Sequence, residues 1–165
     1  MQTQRGFTLI ELVVVIIVLG ILAVTAAPKF IDLQTDARVG TLNGAKGALQ
    51  GANALVYSKS AINNLHKQAA SGSDTVTLYG TTKVTPLFGY LRASKDDVAN
   101  AVELDSSWVV AVDDATTPTK VFIYPSGVTF DKDETGETGA SCHLSYTPAG
   151  SEGASPTYSI VKGKC

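Results

Sequence analysis

Hydrophobic and polar positions divide the chain into three stretches with different periods. Residues 7 to 27, FTLIELVVVIIVLGILAVTAA, are almost unbroken apolar sequence in which Glu11 is the only charge. As a helix rising about 1.5 Å per residue this run extends ~31 Å, close to the ~30 Å hydrocarbon core of a bilayer, so it is long enough to span a membrane. Beyond Pro28 the pattern changes. Phe30, Leu33 and Ala37, then Leu42, Ala45, Leu49, Ala52 and Val56, recur largely at three- and four-residue steps, which predicts an amphipathic helix to about Ser58. The first half of one long helix is thus suited to lipid and the second half to packing on a domain. Gly20 and Pro28 are its expected break points, because glycine weakens a turn and proline removes a hydrogen bond.

The remainder reads as short strands around one more helix. Residues 61 to 85 form a loop region containing Ser71-Gly72-Ser73-Asp74 and a strand-like stretch from Thr75 to Tyr79. A second helix is predicted from Lys95 to Leu104, with Ser94 as its N-cap and Asp97 three residues on. Strands are predicted at Trp108 to Val112, Lys120 to Tyr124, Val128 to Asp131, Cys142 to Tyr146 and Thr157 to Val161, separated by turns such as Pro125-Ser126-Gly127. The fold class is α+β: a long N-terminal helix packed on an antiparallel sheet. Within that helix Gly40, Gly44, Gly47 and Gly51 each cost about 1 kcal/mol against alanine. Their spacing predicts a smooth strip for close approach of another backbone, either the domain's own sheet or a neighbouring subunit's helix, with the sheet or a mixture of the two favoured.

Composition narrows the function classes. The 165 residues suffice for one domain plus an anchor, and the formal net charge of -2 becomes -3 if Arg5 is lost. Neither a nucleic-acid surface nor a phosphate-cradling glycine loop is expected. The two histidines, His66 and His143, are far apart and the carboxylates are scattered, so no enzyme is expected. Asp131, Asp133, Thr135 and Gly136 imitate the start of a calcium loop, but Cys142 stands where its last carboxylate belongs, and a solvated acidic loop is the better reading. His143 beside Cys142 lacks the companions of a zinc site, so no metal and no cofactor are expected. Ser141, Thr147, Ser151, Ser155 and Thr157 are hydroxyls able to carry glycans, without an Asn-x-Ser/Thr sequon to select one.

Glu11 needs a physical reason, since a carboxylate at membrane depth costs several kcal/mol without a cation that reaches it. Arg5 precedes the apolar run and Lys29 is the first cation after it, which orients the N-terminus inside and exports the rest. A cleaved secretory signal or a plain anchor is the bland alternative; neither has a use for Glu11 or for a glycine just before the run. Gly6-Phe7-Thr8-Leu9-Ile10-Glu11 after a six-residue leader resembles the class III signal of type IV pilins, short-leader subclass. The resemblance implies that prepilin peptidase cuts between Gly6 and Phe7, that the new Phe7 amine is N-methylated, and that residues 7–28 stay as a membrane and assembly helix below a periplasmic or extracellular domain, residues 29–165. It also implies that the stretch from Gly20 to Pro28 can unwind in assembled filaments. Cleavage would create a cation at Phe7, about one helical turn or ~6 Å from Glu11, so a neighbouring subunit displaced by that step brings its Glu11 level with it. Glu11 then sets the docking register of a homopolymer.

In an exported chain the even pair Cys142 and Cys165 reads as a disulfide, which would contribute about 3 kcal/mol, with free thiols or a metal site as the alternatives. The pilin resemblance agrees with the disulfide. TAAPKFIDLQTDAR followed by GAKGALQGANALVYSKSA resembles the mannose-sensitive haemagglutinin (MSHA) pilins. That branch implies the major subunit of a retractable fibre for surface attachment, haemagglutination-type adhesion and biofilm formation. Its implied partners are the inner membrane, prepilin peptidase, the pilus assembly machinery, and host or environmental surfaces. A pseudopilin of a type II secretion system, or a minor pilin, is the alternative; the cysteine pair and the missing calcium ligand favour a pilus.

Overall fold

A computed structural model describes the chain except at residues 1–5, 71–73, 114, 116, 118 and 134–139, and except for the side chains at 27, 28 and 30–32. Two compact units are present, Met1–Ala37 and Arg38–Cys165. Helix α1, Leu9–Ile62, runs through Gly20 and Pro28 as one element of 54 residues. In the single chain these two positions are weak points and not ends, because a proline deletes one hydrogen bond of a ladder that the flanking turns keep in register. In the first unit Leu9–Ala26 has a mean hydropathy of 3.0, and every residue of it is exposed.

The second unit has its own core. The part of α1 belonging to it buries Leu42, Ala45, Leu49 and Val56, the apolar stripe expected from their spacing. They join one cluster with Val110, Val121, Ile123, Leu144 and Tyr146 from one face of an antiparallel sheet. That sheet is a meander of β5 (Trp108–Val112), β6 (Val121–Pro125), β7 (His143–Thr147) and β8 (Thr157–Val161), in sequential order. Its register aligns Val110, Ile123, Leu144 and Ile160 across the four strands. Alternation then sends these residues to the helix and their neighbours to the opposite face. Helix α2, Lys95–Val102, starts as expected: Ser94 Oγ accepts from the Asp97 backbone N–H at 3.3 Å. It stops two residues short of the expected end, where Glu103 takes a left-handed conformation at φ 53°.

Four expectations are corrected. Residues 128–131 are not a strand. This segment folds over the outer face of the sheet, where Phe130 stacks on Tyr124 at 4.3 Å and lies 5.3 Å from both Phe122 and His143. Burying an aromatic ring there outweighs extending the meander. The region 61–85 holds more than the strand-like stretch expected at Thr75 to Tyr79: β1 (Val76–Thr77) lies within that stretch and pairs with β2 (Lys83–Val84), and just beyond the region an unexpected second hairpin joins β3 (Pro86–Leu87) to β4 (Tyr90–Leu91). The turn of that second hairpin has Phe88 and Gly89 at positive φ, 48° and 91°. Gly89 is obligatory, because a Cβ there would stand 2.8 Å from the Tyr57 ring. The third correction concerns Gly40, Gly44, Gly47 and Gly51, which do not face the sheet. All four are exposed, with open space where a Cβ would be. Lastly, Ser141 is no candidate for glycosylation: it is fully buried, and its hydroxyl lies 2.9 Å from His143 Nδ1.

A buried polar network ties the second unit together. Asn53 on α1 is 2% exposed; its Oδ1 accepts from the Leu91 N–H at 2.8 Å and from the Tyr146 hydroxyl at 3.3 Å. Its Nδ2 donates to the Tyr158 hydroxyl at 2.8 Å, while the single Tyr146 hydroxyl proton is shared with the Leu91 carbonyl, the closer acceptor at 2.6 Å. Burial pushes the Tyr146 phenol far above its ordinary range, so it stays a donor. Helix, hairpin and sheet are therefore held in one arrangement by groups that have no alternative partners in an apolar core.

Candidate functional site

The first turn of α1 carries the site. Phe7 is 92% exposed and Gly6 beside it is exposed as well. Helix formation begins at Leu9 because Thr8 caps it: the Thr8 hydroxyl accepts from the Glu11 N–H at 3.3 Å, and the Glu11 carboxylate accepts from the Thr8 N–H at 2.8 Å. The Thr8 hydroxyl also donates to the same carboxylate at 2.8 Å. This is a reciprocal capping box, and Glu11 additionally faces the positive end of the helix dipole. The charge that lacked a partner in the sequence thus has two donors within its own chain. The sequence carries the signal for it, Thr8 followed three residues later by Glu11. The carboxylate keeps lone pairs for a further partner, and a cationic amine is the group that would gain most from them.

The other expected residues lie apart from this turn. Cys142 and Cys165 form a disulfide with Cα atoms 4.9 Å apart. It closes the end of the second unit, where Arg38 also donates to the Cys165 carbonyl at 2.7 Å and the Lys164 N–H donates to the Ser141 carbonyl. His66 packs edge-on against Tyr57, whereas His143 is 1% exposed between Phe122 and Phe130, so the two histidines do not meet. Asp131 Oδ1 accepts from the Asp133 N–H at 3.0 Å; Thr135 and Gly136 of the calcium-like sequence lie outside the described residues, as do Ser71-Gly72-Ser73. Cys142, at the position of the missing calcium ligand, is occupied by its disulfide. Among the described residues no group of three His, Cys, Asp or Glu converges on a point.

Similarity to known proteins centres on the same region. Residues 1–27 match the prokaryotic N-terminal methylation motif. Over 51 residues the chain is 41% identical to the type IV narrow pilus major component PilA5 of Thermus thermophilus, covering 31% of this chain and 44% of that protein. Over 75 residues it is 36% identical to the fimbrial protein EcpC of Eikenella corrodens, covering 46% and 49% of the two chains. Over 56 residues it is 46% identical to fimbrial protein Q of Moraxella bovis, covering 32% and 36%. The chain thus spans less than half the length of these curated relatives, and no solved structure matches it. The motif together with the exposed apolar helix fits a membrane-anchored precursor of a surface fibre. The chain carries the N-terminal methylation signature of type IV pilins and is a homologue of type IV pilins and fimbrial proteins.

Proposed function

We propose that this chain is the major subunit of a type IV pilus, cut between Gly6 and Phe7 by prepilin peptidase and N-methylated on Phe7. The observation that carries the reading is the first turn of α1: a scissile glycine, an exposed Phe7 and a carboxylate already oriented by Thr8, at the head of a membrane-length helix with no buried residue. A helix so apolar and so bare must be covered, first by lipid and then by the helices of other subunits. In the fibre, Glu11 of one subunit pairs with the Phe7 amine of the next, and Gly20 to Pro28 is where α1 yields if the anchor has to shift along the axis. The inner membrane, the peptidase and the assembly machinery are the partners before polymerisation. The resemblance to MSHA pilins supports attachment to host or environmental surfaces, haemagglutination-type adhesion and biofilm formation as the role of the fibre. The Cys142–Cys165 disulfide, occupying the position a calcium ligand would need, favours this over a type II secretion pseudopilin. The test is mass spectrometry of the main protein band in sheared surface fibres. It should begin at Phe7 with a methylated amine; a chain starting near Ala27, or found only in trace amounts, would overturn the assignment.

A further inference from the structure

Four segments of the second unit meet at a small cavity of about 190 Å³. Tyr57 comes from the last part of α1, His66 and Lys67 from the turn after it, Phe88 and Tyr90 from the hairpin of β3 and β4, and Glu152 from the connection between β7 and β8. Sites for drug-sized ligands begin at about 300 Å³, so a cavity of this size suits a single ring. The Tyr57 and Tyr90 rings stand 5.0 Å apart and 31° from parallel, with His66 edge-on to Tyr57. A guest sandwiched between two rings needs two contacts of about 3.5–4.0 Å each. The tyrosine pair is too close for that and forms a platform instead of a cage.

Two features around this cavity are not explained by the fold. The turn between β3 and β4 has both central residues, Phe88 and Gly89, at positive φ, the pattern of a type I′ turn. Its first position favours asparagine, aspartate or glycine, because a Cβ at positive φ is strained and a bulky side chain there is an outlier. Among the described residues Phe88 neither belongs to the core cluster nor makes a ring contact that would offset this cost. Its N–H donates to the Gln68 carbonyl at 2.8 Å, which pins the turn against the segment carrying His66 and Lys67. The second feature is His66 Nδ1, which is buried without a hydrogen-bond partner among the described residues. A strained residue and an unpaired buried nitrogen persist where something offsets them, and both residues border the same cavity.

Charge at the rim is balanced. Lys67 and Glu152 pair at 3.0 Å, both exposed, so they bring no net charge to the cavity. The ammonium keeps spare donors and the carboxylate spare acceptors. Such a lining matches a neutral ligand with an apolar face for the rings and hydroxyl groups that both donate and accept. A quaternary ammonium would need rings on several sides of it, and a cation would have to displace Lys67 from Glu152. We propose that this cavity binds one pyranose ring of a neutral saccharide, stacked on its aromatic lining and held at the hydroxyls by Lys67 and Glu152. As a contact with the glycans of an attached surface, the site rests on the reading of the chain as a subunit of an attachment fibre.

The experiment is a ligand-observed NMR titration of the full chain, solubilised in a detergent without a sugar headgroup, with methyl pyranosides of the gluco, galacto and manno configurations. At least one should bind saturably with a Kd of about 1–10 mM. Phe88→Asn removes the ring and supplies the residue the turn prefers, so it should weaken that binding at least about fivefold without lowering the denaturation midpoint. Lys67→Ala with Glu152→Ala should weaken it by a similar factor of about five and leave the fold intact, because an exposed ion pair contributes little to stability. This rim variant decides the case should Phe88→Asn fail to fold. No saturable binding by the unaltered chain up to about 50 mM pyranoside, undiminished affinity in either variant, or a preference for choline over every pyranoside would overturn the site. Each of these results leaves the fibre reading intact, since binding is measured on the isolated chain. Absence of fibres from the unaltered chain would overturn that reading and not the saccharide binding.

Discussion

Two roles meet at Glu11, and they make different demands on the side chain. A capping box needs an acceptor three residues beyond Thr8, which glutamine supplies as well as glutamate. Pairing with a neighbour's Phe7 amine needs the charge. Glu11→Gln should therefore leave the helix start and membrane insertion intact while collapsing the ratio of surface fibre to membrane subunit, and Glu11→Ala should do the same while also fraying the first turn. If Glu11→Gln makes fibre like wild type and only Glu11→Ala fails, the carboxylate is a cap and nothing more. The apolar run around an isolated acid was legible in the sequence. That Thr8 already satisfies this acid within its own chain became clear only from the hydrogen bonds.

At the scale of elements, Asn53 shows how polar groups choose among arrangements that hydrophobicity alone leaves equivalent. Leu42, Leu49 and Val56 would bury the same area against the sheet over a range of helix positions, because dispersion and the hydrophobic effect are non-directional. The bonds from Asn53 to Leu91, Tyr146 and Tyr158 are directional and allow one. Asn53→Ala strands the buried Leu91 N–H and removes the partner of the half-buried Tyr158 phenol, while Tyr146 keeps the Leu91 carbonyl, so the second unit should lose about 2–3 kcal/mol. Chemical denaturation of the detergent-solubilised full chain checks this, and a loss below that of an ordinary surface substitution would mean that the network is slack. Nothing local to Asn53 in the sequence, one position beyond Ala52 of the helical stripe, marks which strands or hairpin it joins.

On the scale of the whole molecule, His143 links the outer-face aromatic cluster to the disulfide-closed end. It is 1% exposed beside Cys142, and burial holds its imidazole below the ordinary value of 6.5, against an opposing pull from Asp131. The unfolded chain takes up the proton near pH 6.5, and the folded chain resists it until lower pH. Stability from this residue is thus fully present above pH 6.5 and declines as the pH falls below it. The denaturation midpoint of the wild-type chain should drop between pH 7.5 and 5, and His143→Gln should flatten that drop; a wild-type profile already flat over this range would show that the folded site accepts the proton freely. The disulfide beside it contributes about 3 kcal/mol by restricting the unfolded chain, and that contribution is independent of pH here.

The one-dimensional features were determined by the sequence itself: the apolar run of membrane length, the isolated Glu11 after Gly6-Phe7, the stripe of α1, the Ser94 cap and the strands β5 and β8. Each depends on period or on near neighbours, and short-range sterics and hydrogen bonding decide such features locally. The tertiary structure alone decided where residues 128–131 go, which way Gly40 to Gly51 face, and what Asn53 and His143 touch. These outcomes depend on contacts between residues far apart in the chain, and no local pattern encodes a contact whose partner is set by the register of a sheet and the burial of an aromatic ring.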